Sequence, residues 1–332
     1  MPRLYDEKFE GGYRDVEHIN GYLLPGPEIY VESRSKPLCP VPPMSTGNMP
    51  ADGGNLIIEA KDYEEFIRRE PRAKKYIRRL IGSEEFIHNK PRYCLWLVDC
   101  PPEEIRRMKP VYERVKKCKE DRLKGGLDKI KLSDTPHLFR ETKNPKSAII
   151  IPAVSSERRK YVPIDFVDDS AIYTNLVLMI PDAELWHFGI LTSSVHMAWM
   201  RLVCGRLESR YRYSAKVVYN NFAWMQMPID QYATLNRTAQ GILDARKKYP
   251  DASLADLYDE VTMPKILRDA HKKNDRAVMD IYGYDYDMTE EEIQVDLLYR
   301  YQFIVDYLAG KYGNIKPYVD YSDFDDEDDE ED

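Results

Sequence analysis

From His187 to Trp224 the chain reads HFGILTSSVHMAWMRLVCGRLESRYRYSAKVVYNNFAW, an apolar half followed by a half rich in charge and aromatic rings. That switch leaves few folds open. Phe188, Leu191, Val195, Trp199, Leu202 and Val203 recur at intervals of three and four, the period of a core-facing helix. The pattern predicts a helix over 187–204 that stops at Gly205, where a left-handed residue closes a helix at least steric cost. Beyond it, Arg206, Arg210 and Arg212 interleave with Tyr211 and Tyr213, with Glu208 among them. A buried helix delivering a short loop of arginine, tyrosine and one carboxylate suits the reading of base edges on DNA. Arginine forks onto guanine, a carboxylate accepts from cytosine, and the remaining positive charge, such as that of Arg206, meets phosphate.

The 332 residues, 43% of them hydrophobic, suffice for two compact domains and a sizeable core. No apolar run approaches the roughly eighteen residues of a membrane span, and Met1-Pro2-Arg3 leads into charged sequence, so a cytoplasmic protein without membrane contact is expected. Five scattered cysteines without a CxxC pair fit a reducing compartment and offer no structural zinc set. The net charge of −8 speaks against a DNA partner only until its distribution is seen. Ten acidic residues crowd the stretch from Asp320 to Asp332, and without them the −8 becomes +2. Like charges at that density bury no surface, so residues 317–332 are expected to form a disordered acidic tail.

Six prolines between positions 25 and 43 exclude a long helix from residues 1–45, which read as an extended linker arm packed on the following domain. Gly47-Asn48 and Asp52-Gly53-Gly54-Asn55 are turn chemistry needing positive φ. Asp52 with Glu59-Ala60-Lys61 imitates the D…ExK pattern of metal-dependent nucleases, but an aspartate inside a glycine turn favours a structural role, and no metal ligand is assigned. Helices are predicted over 61–69, 73–80 and 102–123, and strands over 93–98, 147–152 and 176–180. The basic run of Lys116, Lys117, Lys119, Arg122 and Lys124 reads as a solvated face, with phosphate contact as the alternative. Ser155, Ser156, Arg158, Arg159 and Lys160 follow a strand with two hydroxyls and three cations, a composition that grips a DNA backbone; internal pairing of the arginines with Glu157 or Asp165 is the competing reading. After Trp224 only helical patterns remain, over 230–248, 253–283 and 288–310, with Thr289 and Glu292 spaced as a capping box. His271 and Asp275, four apart, read as a surface ion pair.

The quoted stretch resembles the target-recognition region of the MmeI-like (type IIL) single-chain restriction–modification enzymes, DNA adenine methyltransferases fused to a nuclease. Further matching pieces are NGYLLPGPEIYVESRSKPLCPVPPMSTGNMPADGGNLII at 20–58, IGSEEFIHNKPRYCLWLVDCPPEEI at 81–105 and AVSSERRKYVPIDFV at 153–167. The helices after Trp224 are similar to the family's small C-terminal domain, so that the resemblance covers about 20–307. In the family the positions of Glu208 and Arg210 alternate between Glu-x-Arg and Lys-x-Asp and track one base pair of the site. The resemblance therefore implies that Glu208 and Arg210 read a C·G pair, with Arg212 on a neighbouring base or phosphate.

An adenine methyltransferase also needs a glycine-rich S-adenosylmethionine turn and an Asn/Asp-Pro-Pro-aromatic motif for the flipped base. Neither occurs in these residues. Ser193 and His196 lack a nucleophile elbow, and no catalytic residue is assigned. The expected fold is α+β: a mixed strand and helix recognition domain over 46–228, then an all-α domain over 229–316. The expected function is sequence-specific recognition of double-stranded DNA for an adenine-N6 methyltransferase system. Catalysis, S-adenosylmethionine and magnesium would reside on a partner chain or on N-terminal domains outside these residues. A split subunit, a relic and an excised fragment all fit that expectation. The alternative is an antirestriction or regulatory protein whose acidic tail mimics DNA.

Overall fold

The computed structural model describes residues 1–5 and 12–312; the expected acidic tail lies outside the described residues. A hairpin of β1 (Arg3–Tyr5) and β2 (Tyr13–Asp15) opens the chain. The proline-rich stretch that follows packs on the molecule through Leu24, Ile29, Cys39 and Met44, which join the main core, and is held through its backbone as well. Asn220 and Asn221 donate from their amide nitrogens to the carbonyls of Arg34 and Glu32, both at 2.8 Å, and Leu38 N–H donates to the Asn220 carbonyl at 2.8 Å. An extended segment without internal ladder bonds needs such external partners for its peptide groups.

After the short β3 (Ser45–Thr46), a first α/β unit contains β4 (Ile57–Glu59), α1 (Ala60–Arg69), β5 (Ile77–Ile81), α2 (Ser83–His88), β6 (Arg92–Leu95), α3 (Pro102–Arg107), α4 (Lys109–Leu123) and α5 (Leu127–Lys131). Its core gathers Leu56, Ile58, Phe66, Leu80, Leu95, Val111 and Cys118. Two expectations fail here. Residues 77–81 are a strand rather than helix: Ile77 and Leu80 are spaced like a helical face, but β5 pairs with β6 on one side, and non-local pairing outweighs local spacing. The helix expected over 102–123 is broken at Met108, because Pro110 has no N–H to continue it and instead opens α4.

The second half begins with β7 (Ser147–Pro152), β8 (Val154–Ser155), β9 (Asp165–Asp168), β10 (Ala171–Tyr173) and β11 (Val177–Pro181). β10 returns to the first unit and runs parallel to β5, which gives the sheet order β10-β5-β6-β4. A second, antiparallel sheet has the order β3-β11-β7-β9. Next come α6 (Leu185–Leu191), α7 (Ser194–Val203) and a hairpin of β12 (Gly205–Leu207) and β13 (Arg210–Arg212). The chain closes with α8 (Ile229–Lys247), α9 (Leu254–Leu257), α10 (Lys265–Tyr282) and α11 (Glu290–Leu308). Thr289 and Glu292 form the capping box, with Thr289 N–H on the Glu292 carboxylate at 2.7 Å and Glu292 N–H on the Thr289 hydroxyl at 3.3 Å.

The helix expected over 187–204 is therefore two helices. Ser193 interrupts it, its hydroxyl accepting the His196 N–H at 3.2 Å as an N-cap and donating to the Ile190 carbonyl at 2.7 Å. Both halves are buried, and one continuous core runs from Ile149, Leu178 and Ile180 of the second sheet through Phe188 and Trp199 to Leu235, Val278 and Tyr301 of the C-terminal helices. The α+β class expected from the sequence is present, with strands and helices mixed before Trp224 and, among the described residues, helices alone after it.

Candidate nucleic-acid interface

The hairpin β12–β13 grows from the end of α7. Helix α7 ends without a left-handed residue: Cys204 is extended (φ −69°, ψ 150°) and Gly205 already belongs to β12. The expected glycine stop is thus a direct helix-to-strand passage, which puts the hairpin at a fixed distance from the buried helix. Leu207 pairs with Arg210, so only Glu208 and Ser209 form the turn. Two-residue turns of this kind need positive φ at their first position, and Glu208 adopts φ 56° there. Glu208 therefore occupies the hairpin tip, whereas Arg210 lies on the strand. The extended-loop geometry, in which residues two apart point one way, does not apply to this pair. The turn achieves the proximity instead: the Arg210 guanidinium donates to Glu208 Oε2 at 2.9 Å, with both side chains largely exposed.

Alternation along β13 sorts its side chains. Arg210 and Arg212 face solvent and Tyr211 faces inward. The Arg206 guanidinium lies 4.1 Å above the Tyr211 ring, close enough for a cation–π contact that holds it on the hairpin surface. Tyr213, the next inward residue, places its hydroxyl 2.8 Å from His196 Nε2 inside the core and so ties the hairpin base to α7. Burial pushes the His196 pKa down to about 3, leaving a neutral ring. With Ser193 engaged as a cap, the Ser193–His196 pair has no nucleophile geometry.

β13 also pairs with β8, matching Tyr211 with Ser155 and Arg212 with Val154. This register brings the two basic segments read from the sequence onto one small three-stranded sheet, in the order β12-β13-β8. Arg206 stands on the edge strand β12, Glu208 at the hairpin tip, and Arg210 and Arg212 on the central strand β13, while the loop carrying Ser156, Arg158, Arg159 and Lys160 leaves the opposite edge strand β8. Ser155 is buried at 3% exposure with its hydroxyl inside, so it holds the sheet rather than the surface. Ser156 is partly exposed, and its hydroxyl accepts the Arg158 N–H at 3.2 Å. Arg158 and Lys160 are exposed, whereas Arg159 is half-buried and burial lowers its pKa, with Asp259 and Glu84 opposing. The competing internal pairing with Asp165 is not made, because Asp165 faces Arg246 at 3.5 Å.

Under that loop is a polar network that sequence spacing does not reveal. His271 and Asp275 are buried, not a surface ion pair. His271 Nε2 lies 2.8 Å from the Tyr258 hydroxyl, which also takes the Arg246 guanidinium. Asp275 accepts from the Tyr161 hydroxyl at 2.6 Å and from Ser194 N–H at 2.8 Å, and burial pushes its carboxyl pKa up. Because Tyr161 follows Lys160 directly, the network fixes the basic loop to α7 and α10. A buried tyrosine hydroxyl needs a partner, and that requirement is the signal linking Tyr161 to Asp275.

Arg122 also departs from expectation. It is fully buried among the lysines of α4 and donates to five carbonyls, those of Pro50, Ala51, Leu132, Thr135 and Leu138, at 2.6–3.2 Å. Asp52 is likewise structural: its carboxylate accepts from Gly54 N–H at 3.0 Å and Leu56 N–H at 2.5 Å, while Glu59 pairs with Arg92 at 3.3 Å. Among the described residues no group of three or more His, Cys, Asp or Glu is placed to hold a metal ion, and no helix is long and apolar enough to cross a membrane.

Comparison with known proteins gives concordant matches. Residues 25–226 match the family described as "MmeI, target recognition domain", and residues 228–309 match "MmeI, C-terminal domain". DNA methyltransferase A of Bacillus subtilis (strain 168) is 38% identical over 292 residues, covering 86% of this chain. The chain spans 33% of that relative's length. The solved structure of the type IIL restriction–modification enzyme MmeI in complex with DNA superposes with a TM-score of 0.85 at 42% identity, over 89% of this chain and 40% of that one.

Proposed function

Since the chain belongs to the MmeI family through both its target-recognition and its C-terminal domain, we propose that it is the sequence-reading module of a restriction–modification system and binds double-stranded DNA. The observation that supports this reading is the register of β13 on β8, which brings the two basic segments, 206–212 and the loop after Ser155, side by side. Major-groove readout needs a narrow element with outward donors and acceptors, and a two-stranded ribbon fits that groove. The turn at Glu208–Ser209 is the leading edge of such a ribbon.

In this reading Glu208 accepts from the cytosine amino group and Arg210 donates to its guanine partner. Arg212 addresses the adjoining base or phosphate, and Arg206, Ser156, Arg158, Arg159 and Lys160 neutralise the backbone. The Glu208–Arg210 pair of the free chain opens on binding. Exposed ion pairs contribute only about 0.2–1 kcal/mol, against about 1–3 kcal/mol of discrimination for a good bidentate base contact, so the exchange favours DNA. Ser155 supports the sheet from within. The chemistry served is methyl transfer from S-adenosylmethionine to adenine N6, performed by a methyltransferase domain or subunit beyond these residues, with magnesium needed only where a nuclease accompanies it.

The test is direct. The purified chain is titrated with duplex DNA at several salt concentrations. Binding that weakens as salt rises, with a log–log slope of about −0.9 per phosphate contacted, supports the proposal. Retention of basic proteins with no DNA binding would instead favour a DNA-mimicking regulator acting through the acidic tail.

A further inference from the structure

A cleft of about 320 Å³ separates the basic loop after β8 from α10 and the segment between α9 and α10. Arg158, Arg159 and Lys160 line one wall, and Arg268 and Lys272 of α10 line the other. Resting on the DNA-binding reading above, we infer that this cleft is a two-walled phosphate clamp, in which Arg268 and Lys272 of the C-terminal helices grip the DNA strand that the loop grips from the recognition side.

Three features favour an anion there. Arg268 and Lys272 are four apart on α10, so their charges share a helix face, an arrangement that costs an isolated helix about 0.2–0.5 kcal/mol. They then confront further cations across the cleft, and the three carboxylates that also line it, Glu157, Asp259 and Glu260, leave its positive charge in excess. Of these, Asp259 is engaged: it accepts N–H groups of Val261 and Thr262 at 2.9 and 3.0 Å, and these bonds hold its pKa low. Finally, Arg159 Nε is buried without a partner among the described residues. A donor in that position loses water without a replacement unless an acceptor enters the cleft, and a phosphate oxygen is an acceptor suited to guanidinium geometry. The walls are not free to drift apart, because Tyr161 bonds to Asp275 of α10 at 2.6 Å directly beside Lys160.

Arg268→Ala with Lys272→Ala tests the clamp in the full chain, since both side chains are exposed and their loss leaves the core untouched. The measured quantity is the slope of log affinity against log salt on a nonspecific and on a site-containing duplex. The clamp predicts a slope flatter by roughly one to two, equally on both duplexes, because each lost phosphate contact removes about 0.9. The charge-retaining change Arg268→Lys with Lys272→Arg should keep the slope. A matched loss of two charges at the C-terminal end of α8, Lys247→Ala with Lys248→Ala, should shift it far less. An unchanged slope in the cleft variant, or an equal effect from the α8 variant, overturns the clamp. If Arg158→Ala with Lys160→Ala still flattens the slope in that case, the DNA-binding reading stands without the clamp. A wild-type chain that fails to bind DNA overturns both.

Discussion

Arg210 reaches back across a two-residue turn and donates to Glu208 Oε2 at 2.9 Å, although one residue lies on a strand and the other at the hairpin tip. The pair is local in sequence, but its position on the molecule is set by distant contacts. Tyr211 pairs with Ser155, and Tyr213 meets His196 inside the core. An exposed tip is thereby mounted on buried elements, which lets residues 208 and 210 vary without disturbing the fold.

The backbone conformation at Glu208 separates stability from reading. Its φ of 56° belongs to the left-handed region, which costs a non-glycine residue roughly 1–2 kcal/mol. Glu208→Gly should leave the chain as stable or more stable, by about 1 kcal/mol in urea unfolding, while base discrimination at one position is lost. Destabilisation by more than 1 kcal/mol would show that the Glu208 side chain is structural.

Arg122 carries the largest single stability effect expected in the first α/β unit. Replacing it with Met leaves five carbonyls without their donor and removes charge-assisted bonds that contribute about 1.5–3 kcal/mol each before non-additivity. A loss of at least about 3 kcal/mol is expected, and Arg122→Lys should recover little of it, since an ammonium has three donors and no planar fork. Chemical denaturation with a probe in residues 56–139 measures both changes.

Acid should weaken the fold through its buried histidines. Burial lowers His196 to about 3 and His187 to about 4, below the value of about 6.5 for an exposed ring. The unfolded chain therefore binds the extra protons first, so the stabilisation is complete above pH 6.5 and is lost as pH falls from about 6.5 toward 4. Asp165 and Asp275, raised by burial, oppose the trend at the acid end. His196→Gln, whose amide can still reach Tyr213, should flatten the stability slope between pH 6.5 and 4 by close to one proton. An unaltered slope would remove His196 from the acid response.

What the sequence made legible follows from the range of the interactions. Helices α8 and α11 are long and periodic, and the Thr289 capping box is complete within four residues, so they could be read locally. The buried character of 187–204 was equally plain, but not its break at Ser193, where one serine hydroxyl exchanges helical propagation for a cap. Residues 77–81 and Arg122 misled because their partners are remote or are backbone carbonyls, which leave no pattern in side-chain spacing. His271 and Asp275 were recognised as a pair of interest, yet their true partners, Tyr258 and Tyr161, come from other segments. At the candidate interface, composition named both basic segments, and only the β13–β8 register brought them together.

Backbone and base contacts should separate in binding experiments. Arg158→Ala with Lys160→Ala should weaken binding to every duplex by a similar factor and flatten the salt slope by roughly 0.9 for each contact removed. Arg159→Ala should flatten the slope as well, because its buried Nε has no partner among the described residues and a phosphate oxygen would supply one. A variant that alters sequence preference at constant slope would move these residues from phosphate to base.

The most demanding test exchanges the charges at the hairpin tip. In the proposed reading a carboxylate at 208 accepts from cytosine and an arginine at 210 donates to guanine, so reversing donor and acceptor should reverse the base pair. The turn geometry favours success: residue 208 is at the tip and residue 210 on the adjoining strand, and both are exposed, so Glu208→Lys with Arg210→Asp keeps an ion pair across the same turn. The free chain should therefore unfold within about 0.5 kcal/mol of the original, as surface changes generally do. In an active methyltransferase carrying this module, the methylated sites should change from C to G at one position, with the remaining positions intact. Each single change leaves one base edge unmatched and two like charges at the tip, and should lower discrimination at that position by about 1–3 kcal/mol without installing the new base. Sequencing of the modified sites decides the matter: an unchanged pattern in the double variant would reduce Glu208 and Arg210 to an ion pair that closes the turn.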